Sequence, residues 1–293
     1  SVDPFIGTGG EGHTFPGATV PFGMVQLSPD TQIKSRKEGY GWAAGYRYDD
    51  HTIVGFSHTH FSGTGHSDLG DVLVMPIAGE VKLERGDVDK PGSGYTSRFD
   101  HKDEKAEPGY YAVTLQDYGI RAELTASPRV GVHRYRFPKG KPAHVLVDMR
   151  TSMYDYPGKV QWSRLRLRPD GTLTGFRETR GWAPGRQLYF AMRFSKPVSG
   201  HQFHDTEENV VYKGFPPPGE KDPRQRAQIE GRQLVGALDF ADAQGDTMVV
   251  KVAISPVSEE GAIANLDAEV PGFDFDAVRD EAKAQWSQAL GAL

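Results

Sequence analysis

The chain has 293 residues, 37% hydrophobic and 11% aromatic, enough apolar material for a sizeable core, and no apolar run approaches the roughly 18 residues of a membrane span. With 34 Lys and Arg against 39 Asp and Glu, and a net charge of -5, it has no basic footprint for nucleic acid or anionic lipid. With no such footprint a neutral ligand fits better, and the absence of cysteine excludes disulfide frameworks, CxxC metal sites and thiol nucleophiles.

Near the amino terminus, Gly7-Thr8-Gly9-Gly10-Glu11-Gly12 lacks the spacing of a nucleotide-binding loop and runs into Phe15-Pro16-Gly17, which breaks any phosphate-binding helix. Along the whole chain 35 Gly and 20 Pro punctuate short apolar segments, the pattern of a multi-stranded sandwich. The composition and patterning predict strands over 52–56, 71–76, 110–116, 120–125, 130–137 and 143–148, then 161–167, 187–194, 233–239 and 248–254. In 130–137 every second side chain changes face, as a strand with one buried face requires. Pro169-Asp170-Gly171 between 165–168 and 172–176 signals a hairpin, so the fold class is all-β, with antiparallel neighbours in two packed sheets. The stretch 216–223, rich in Pro, reads as a surface loop. At the carboxy end, Asp276 is placed to cap a helix whose apolar positions Val278, Ala282, Trp286 and Ala289 or Leu290 fall at helical spacing.

Residues 40–71 hold the densest chemistry: Tyr40, Trp42, Tyr46, Tyr48, His51, His58, His60 and His66 crowd together with Ser57, Thr59, Ser62 and Thr64. A pyranose offers an apolar ring face and hydroxyls that both donate and accept, so aromatic surfaces beside neutral hydrogen-bonding groups suit a sugar. The bland alternative, that His58 and His60 are hydrogen-bonded core histidines supporting the loop, stands equally on these residues. A tetrahedral metal set completed by His51, His66 or an aspartate is conceivable, but the spacing does not specify it. Glu11, Asp49, Asp50, Asp68, Asp71 and Glu178 are the carboxylates available for acid–base work, and each reads more simply as a solvated loop charge or a cap.

Three long ordered stretches resemble glycoside hydrolase family 92, the calcium-dependent exo-α-mannosidases. They are Val2-Asp3-Pro4-Phe5-Ile6-Gly7-Thr8, the run from Gly12 to Thr31, and the His58-Thr59-His60 loop with Ser62-Gly63-Thr64-Gly65. A fourth, from Pro108-Gly109-Tyr110-Tyr111 to Phe137-Pro138, extends the match over the first half of the chain. The resemblance implies a galactose-mutarotase-like β-supersandwich over 1–272 and a linker helix over 273–293 that leads to an (α/α)6 domain outside this chain. That domain would supply the general acid, the general base and most ligands of calcium, so this fragment is expected to be inactive alone and not to hold the ion by itself. The implied substrate is an α-mannoside glycan hydrolysed with inversion, and the implied partner is the chain's own helical domain, with neither nucleic acid nor membrane. His13, Phe15, Trp42, His58, Thr59, His60 and Ser62 are the residues expected at the substrate; Tyr40 competes with Trp42 for its role. The expected location is periplasmic or secreted, with which a start at Ser1 accords. A stand-alone carbohydrate-binding module and a purely structural sandwich are the competing readings.

Overall fold

The computed structural model describes residues 2–31, 43–63, 69–153, 157–207 and 222–292. In chain order the strands are β1 (Ser28–Thr31), β2 (Thr52–Ser57), β3 (Leu73–Ala78), β4 (Ser97–Arg98), β5 (Lys105–Glu107), β6 (Tyr110–Leu115), β7 (Ile120–Ala126) and β8 (Val130–Arg136). There follow β9 (Ala143–Asp148), β10 (Val160–Leu167), β11 (Leu173–Thr179), β12 (Arg186–Phe194), β13 (Gly200–Asp205), β14 (Gln228–Gly231), β15 (Leu234–Asp239) and β16 (Thr247–Ser255). Two helices close the chain, α1 (Glu259–Glu269) and α2 (Phe275–Gly291).

The strands form two antiparallel sheets. One has seven strands in the order β1-β2-β3-β9-β15-β13 with β4 beside β2; the other has nine, in the order β14-β10-β11-β12-β16-β8-β7-β6-β5. Side chains from both sheets, among them Phe56, Val74, Leu146, Leu124, Tyr135, Phe190 and Met248, fill the space between them. The hairpin at 169–171 forms as its turn chemistry dictates, with Leu167 opposite Leu173 and Arg168 N–H donating to the Thr172 carbonyl at 2.8 Å.

The outer face of the larger sheet is apolar as well where the helices cover it. In β8, His133 and Tyr135 point between the sheets, whereas Val130 and Val132 join Ala253, Ala262, Leu266 and Phe275 in a second core under the helices. The strand is thus covered on both faces over Val130–His133, while Arg134 and Arg136 farther along stay partly or wholly exposed. Helix α2 packs on β6, β7 and β8. Gly109 makes that approach possible: its φ is +81°, and a Cβ there would sit 2.9 Å from Cβ of Ala282.

Two helical features differ from the sequence reading. Helix α1 was not foreseen, because only Ala262 and Leu266, four residues apart, and the carboxylate Glu259 are buried on it, a weak apolar stripe. Helix α2 begins at Phe275 with Asp274, not Asp276, as its cap: Asp274 Oδ1 accepts from the Ala277 N–H at 3.0 Å. Asp276 instead pairs with Arg134 at 3.0 Å and Arg279 at 2.8 Å.

Candidate functional site

The segment after β2 is clamped on both sides. Gln26 N–H donates to the His58 carbonyl (3.0 Å), His58 N–H to that of Asp71 (2.9 Å), Gly70 N–H to that of Thr59 (3.0 Å), and Gly63 N–H to that of His13 (2.7 Å). His58-Thr59-His60 is thus held between two neighbouring backbones, and its side chains are buried. Val72, next to the clamp, has φ +55°, which for a β-branched residue costs roughly 1–3 kcal/mol. At that position its carbonyl accepts the Nδ1–H of His58 at 2.8 Å.

His58 lies wholly inside. Because its Nδ1 donates to a carbonyl, its Nε2 is the acceptor in the 3.0 Å contact with His133 Nε2, and Tyr135 donates its hydroxyl to His133 Nδ1 at 2.7 Å. Every group in this row is satisfied when both imidazoles are neutral. Burial pushes the His58 pKa down to about 4 and holds His133 well below the usual histidine range. Gly131 leaves the room for this, since a Cβ on it would come within 2.8 Å of the His58 ring.

His60 uses both ring nitrogens too: Nδ1 donates to the Gln26 carbonyl and Nε2 meets Asp30 Oδ1, each at 2.7 Å. Its ring lies 5.2 Å from that of Phe15. Thr59 donates its hydroxyl to Asp71 Oδ2 at 2.7 Å while accepting from the Gly70 and Asp71 N–H groups. Asp71 corrects the reading of it as a solvated charge or cap: it is fully buried between Arg177 Nε, 2.8 Å from Oδ1, and Arg186 Nη2, 2.8 Å from Oδ2. Burial alone would raise its pKa, but the two guanidinium charges outweigh that and hold the carboxyl below the ordinary aspartate value. Arg177 is itself fully buried and donates to the Met149 and Thr151 carbonyls.

Beside this buried layer lies a groove of about 620 Å³, lined among others by Phe15, Gln26, Thr59, His60, Phe61 and Ser62 and by Arg186, Gln187, Leu188 and Trp286. The exposed apolar side chains Phe22 and Met24 extend it. Trp286 reaches it from α2, its indole N–H donating to the Thr19 carbonyl at 2.6 Å. Of the residues expected at a substrate, the structure brings Phe15, Thr59, His60 and Ser62 together here. His58 lies between the sheets, its two nitrogens both facing partners inside the protein. His13 is not among the lining residues: its carbonyl accepts from the Gly63 N–H at 2.7 Å, and its ring contacts Glu11 at 3.1 Å.

Trp42, Tyr40, His66, Thr64 and Asp68 lie outside the described residues. Tyr46 is buried with its hydroxyl on Glu104, and Tyr48 stacks on His101 at 3.9 Å, so these two aromatics do not line the groove. Asp30, Arg177, Arg186 and Trp286 are the site residues that sequence reasoning passed over. The signals were faint: a single arginine inside the strand pattern of 173–179, and a tryptophan at a helical core position.

Among the described residues no group of three or more His, Asp and Glu side chains is placed to hold a metal ion, and no helix is long and apolar enough to cross a membrane. A sequence model described as the glycosyl hydrolase family 92 N-terminal domain matches residues 1–255. A protein of Arthroderma benhamiae described as an uncharacterized secreted glycosidase is 28% identical over 309 residues, covering 100% of this chain and 38% of its own. A family 92 α-mannosidase from Bacteroides thetaiotaomicron, solved in complex with mannoimidazole, superposes with a TM-score of 0.87 at 39% identity over 99% of this chain and 36% of that one. An inverting mannosidase of the same family and organism gives a TM-score of 0.73 at 26% identity, over 95% of this chain and 33% of that one. The chain therefore spans little more than a third of the length of these relatives.

Proposed function

Because the chain belongs to glycosyl hydrolase family 92, as its amino-terminal domain, we propose that it forms the recognising wall of the substrate pocket in an inverting exo-α-mannosidase acting on glycans. One observation carries this reading. The groove combines apolar faces from Phe15, Phe61 and Trp286 with the polar groups of Ser62, Gln187 and Arg186, and no carboxylate is among the described residues lining it. Such a wall suits a pyranose, but inversion also needs two carboxylates about 6.5–9.5 Å apart across the scissile bond. Asp30 and Asp71, buried behind the groove, are engaged with His60 and with two arginines. In this reading the general acid and base belong to a helical domain, and the fragment alone is inactive.

Calcium enters by family resemblance only. In this reading its ligands belong to the helical domain, and no step here runs through it. This chain's own residues orient the sugar and exclude water. Phe15 and Trp286 stack or pack on its apolar face, Ser62 and Arg186 meet its hydroxyls, and Thr59 and His60, whose polar atoms are already engaged, hold the wall rigid. Export to the periplasm or the medium is part of the same reading, supported by the relative described as secreted.

The test measures mannose release from an α-mannoside by residues 1–293 alone and by the polypeptide that joins them to a helical domain. The joined polypeptide is expected to release mannose with inverted configuration and the fragment to release none. Turnover by the fragment alone, or by neither, contradicts the reading.

A further inference from the structure

Arg186 is the single Lys, Arg, Asp or Glu side chain among the described residues lining the groove, and it stands at the start of β12 with about a fifth (22%) of its side chain exposed. Exposed arginines ordinarily wander among rotamers, and holding one still costs conformational entropy each time a ligand binds. Here the cost is already met by the fold. Arg186 Nη2 is fixed 2.8 Å from Asp71 Oδ2, and that carboxylate is immobilised by the Thr59 hydroxyl on the same oxygen and by Arg177 on the other. Arg177 in turn is tied to two backbone carbonyls, so the anchor is rigid to its second layer.

A guanidinium is planar, and one held at a fixed place on a mostly apolar wall is the kind of group by which pockets orient ligands with adjacent oxygen acceptors. We propose that Arg186 is a substrate-orienting residue that donates to neighbouring hydroxyls of the bound sugar, and that Asp71 is its positioning residue. The proposal rests on the mannoside reading above and adds to it which side chain of this domain fixes the sugar's orientation. Thr59 and Asp71 then have a purpose beyond packing: the loop whose sequence looks like a sugar contact acts through the arginine it holds.

The experiment uses the polypeptide joined to its helical domain, with melting curves confirming that each variant is folded. Arg186→Ala is expected to raise KM for an α-mannoside about 10- to 100-fold with kcat changed far less, the range for losing hydrogen bonds from a charged donor. Arg186→Lys, which keeps the charge and loses the planar guanidinium, is expected to recover only part of that. Asp71→Asn is expected to raise KM as well, and Arg186→Ala added to it to do little more, because the two act as one unit. An unchanged KM in folded Arg186→Ala, full recovery by Arg186→Lys, or a loss of kcat alone overturns the proposal. If Asp71→Asn does not fold, the two Arg186 variants decide it. Should the parent polypeptide prove inactive, which counts against the mannosidase reading, calorimetry with methyl α-mannoside compares parent and Arg186→Ala. Weaker binding by the variant supports the proposal, and equal binding, including none, overturns it.

Discussion

The row Tyr135, His133, His58 and the Val72 carbonyl gives the site a pH dependence whose sign follows from the burial of its two imidazoles. Burial penalises a charged imidazole here, and a proton on His58 would turn its accepting Nε2 into a donor facing the Nε2–H of His133, so the folded state resists it. In the unfolded chain a histidine titrates near 6.5, whereas in the folded chain the pKa of His58 is about 4, so below pH 6.5 the unfolded state takes up the proton first. Stability is therefore complete above about pH 6.5 and is lost as pH falls toward 4, with His58 alone accounting for roughly 2 kcal/mol by pH 5. Urea unfolding at pH 7.5 and pH 5.0 checks this; equal midpoints at the two values would show that the histidines are not buried neutral. Asp71 acts in the same direction but at lower pH, since its folded pKa lies below the unfolded one and its contribution fades only as the carboxyl protonates. Which of the 40–71 residues carry chemistry was only half legible in the sequence. The spacing placed His58 and His60 in one strip, and the structure gives both the role of hydrogen-bonded interior histidines. The partners that decide this, His133 and Asp30, lie 75 and 30 residues away and leave no local signal.

At the scale of elements, the strands were readable because each covers a pleated surface on at least one side, and the turn at 169–171 was readable because its chemistry is local. Short or polar strands escaped, among them Ser97–Arg98 and Gly200–Asp205, whose pairing is set by neighbours rather than by their own composition. Helix α1 escaped for the same reason. Its position is fixed instead by Ser258, whose hydroxyl accepts from the Gly261 N–H at 2.9 Å, and by an elbow in which Lys251 Nζ donates to the Val270, Pro271 and Gly272 carbonyls. That elbow aims α2, and with it Trp286, at the groove. The cap of α2 is open to direct test: Asp274→Ala should cost about 1 kcal/mol of stability, and Asp276→Ala, which removes only exposed ion pairs, less than that. Chemical denaturation of the two variants side by side measures the difference, and the reverse order would return the cap to Asp276.

For the whole molecule, two sheets and two helices arrange one end of the sandwich as a groove whose polar handle is braced from within the core. The chain covers little more than a third of its relatives, so its activity as part of a larger enzyme is a claim about how this surface is used. Hydrogen exchange on the joined polypeptide, with and without a mannose-configured inhibitor, tests that claim most directly. Protection is predicted at 59–62, at 186–188 and in the last turns of α2 around Trp286, with the outer face of β10 and β14 unaffected. Protection confined to other surfaces, with those three segments exchanging as before, would contradict the account.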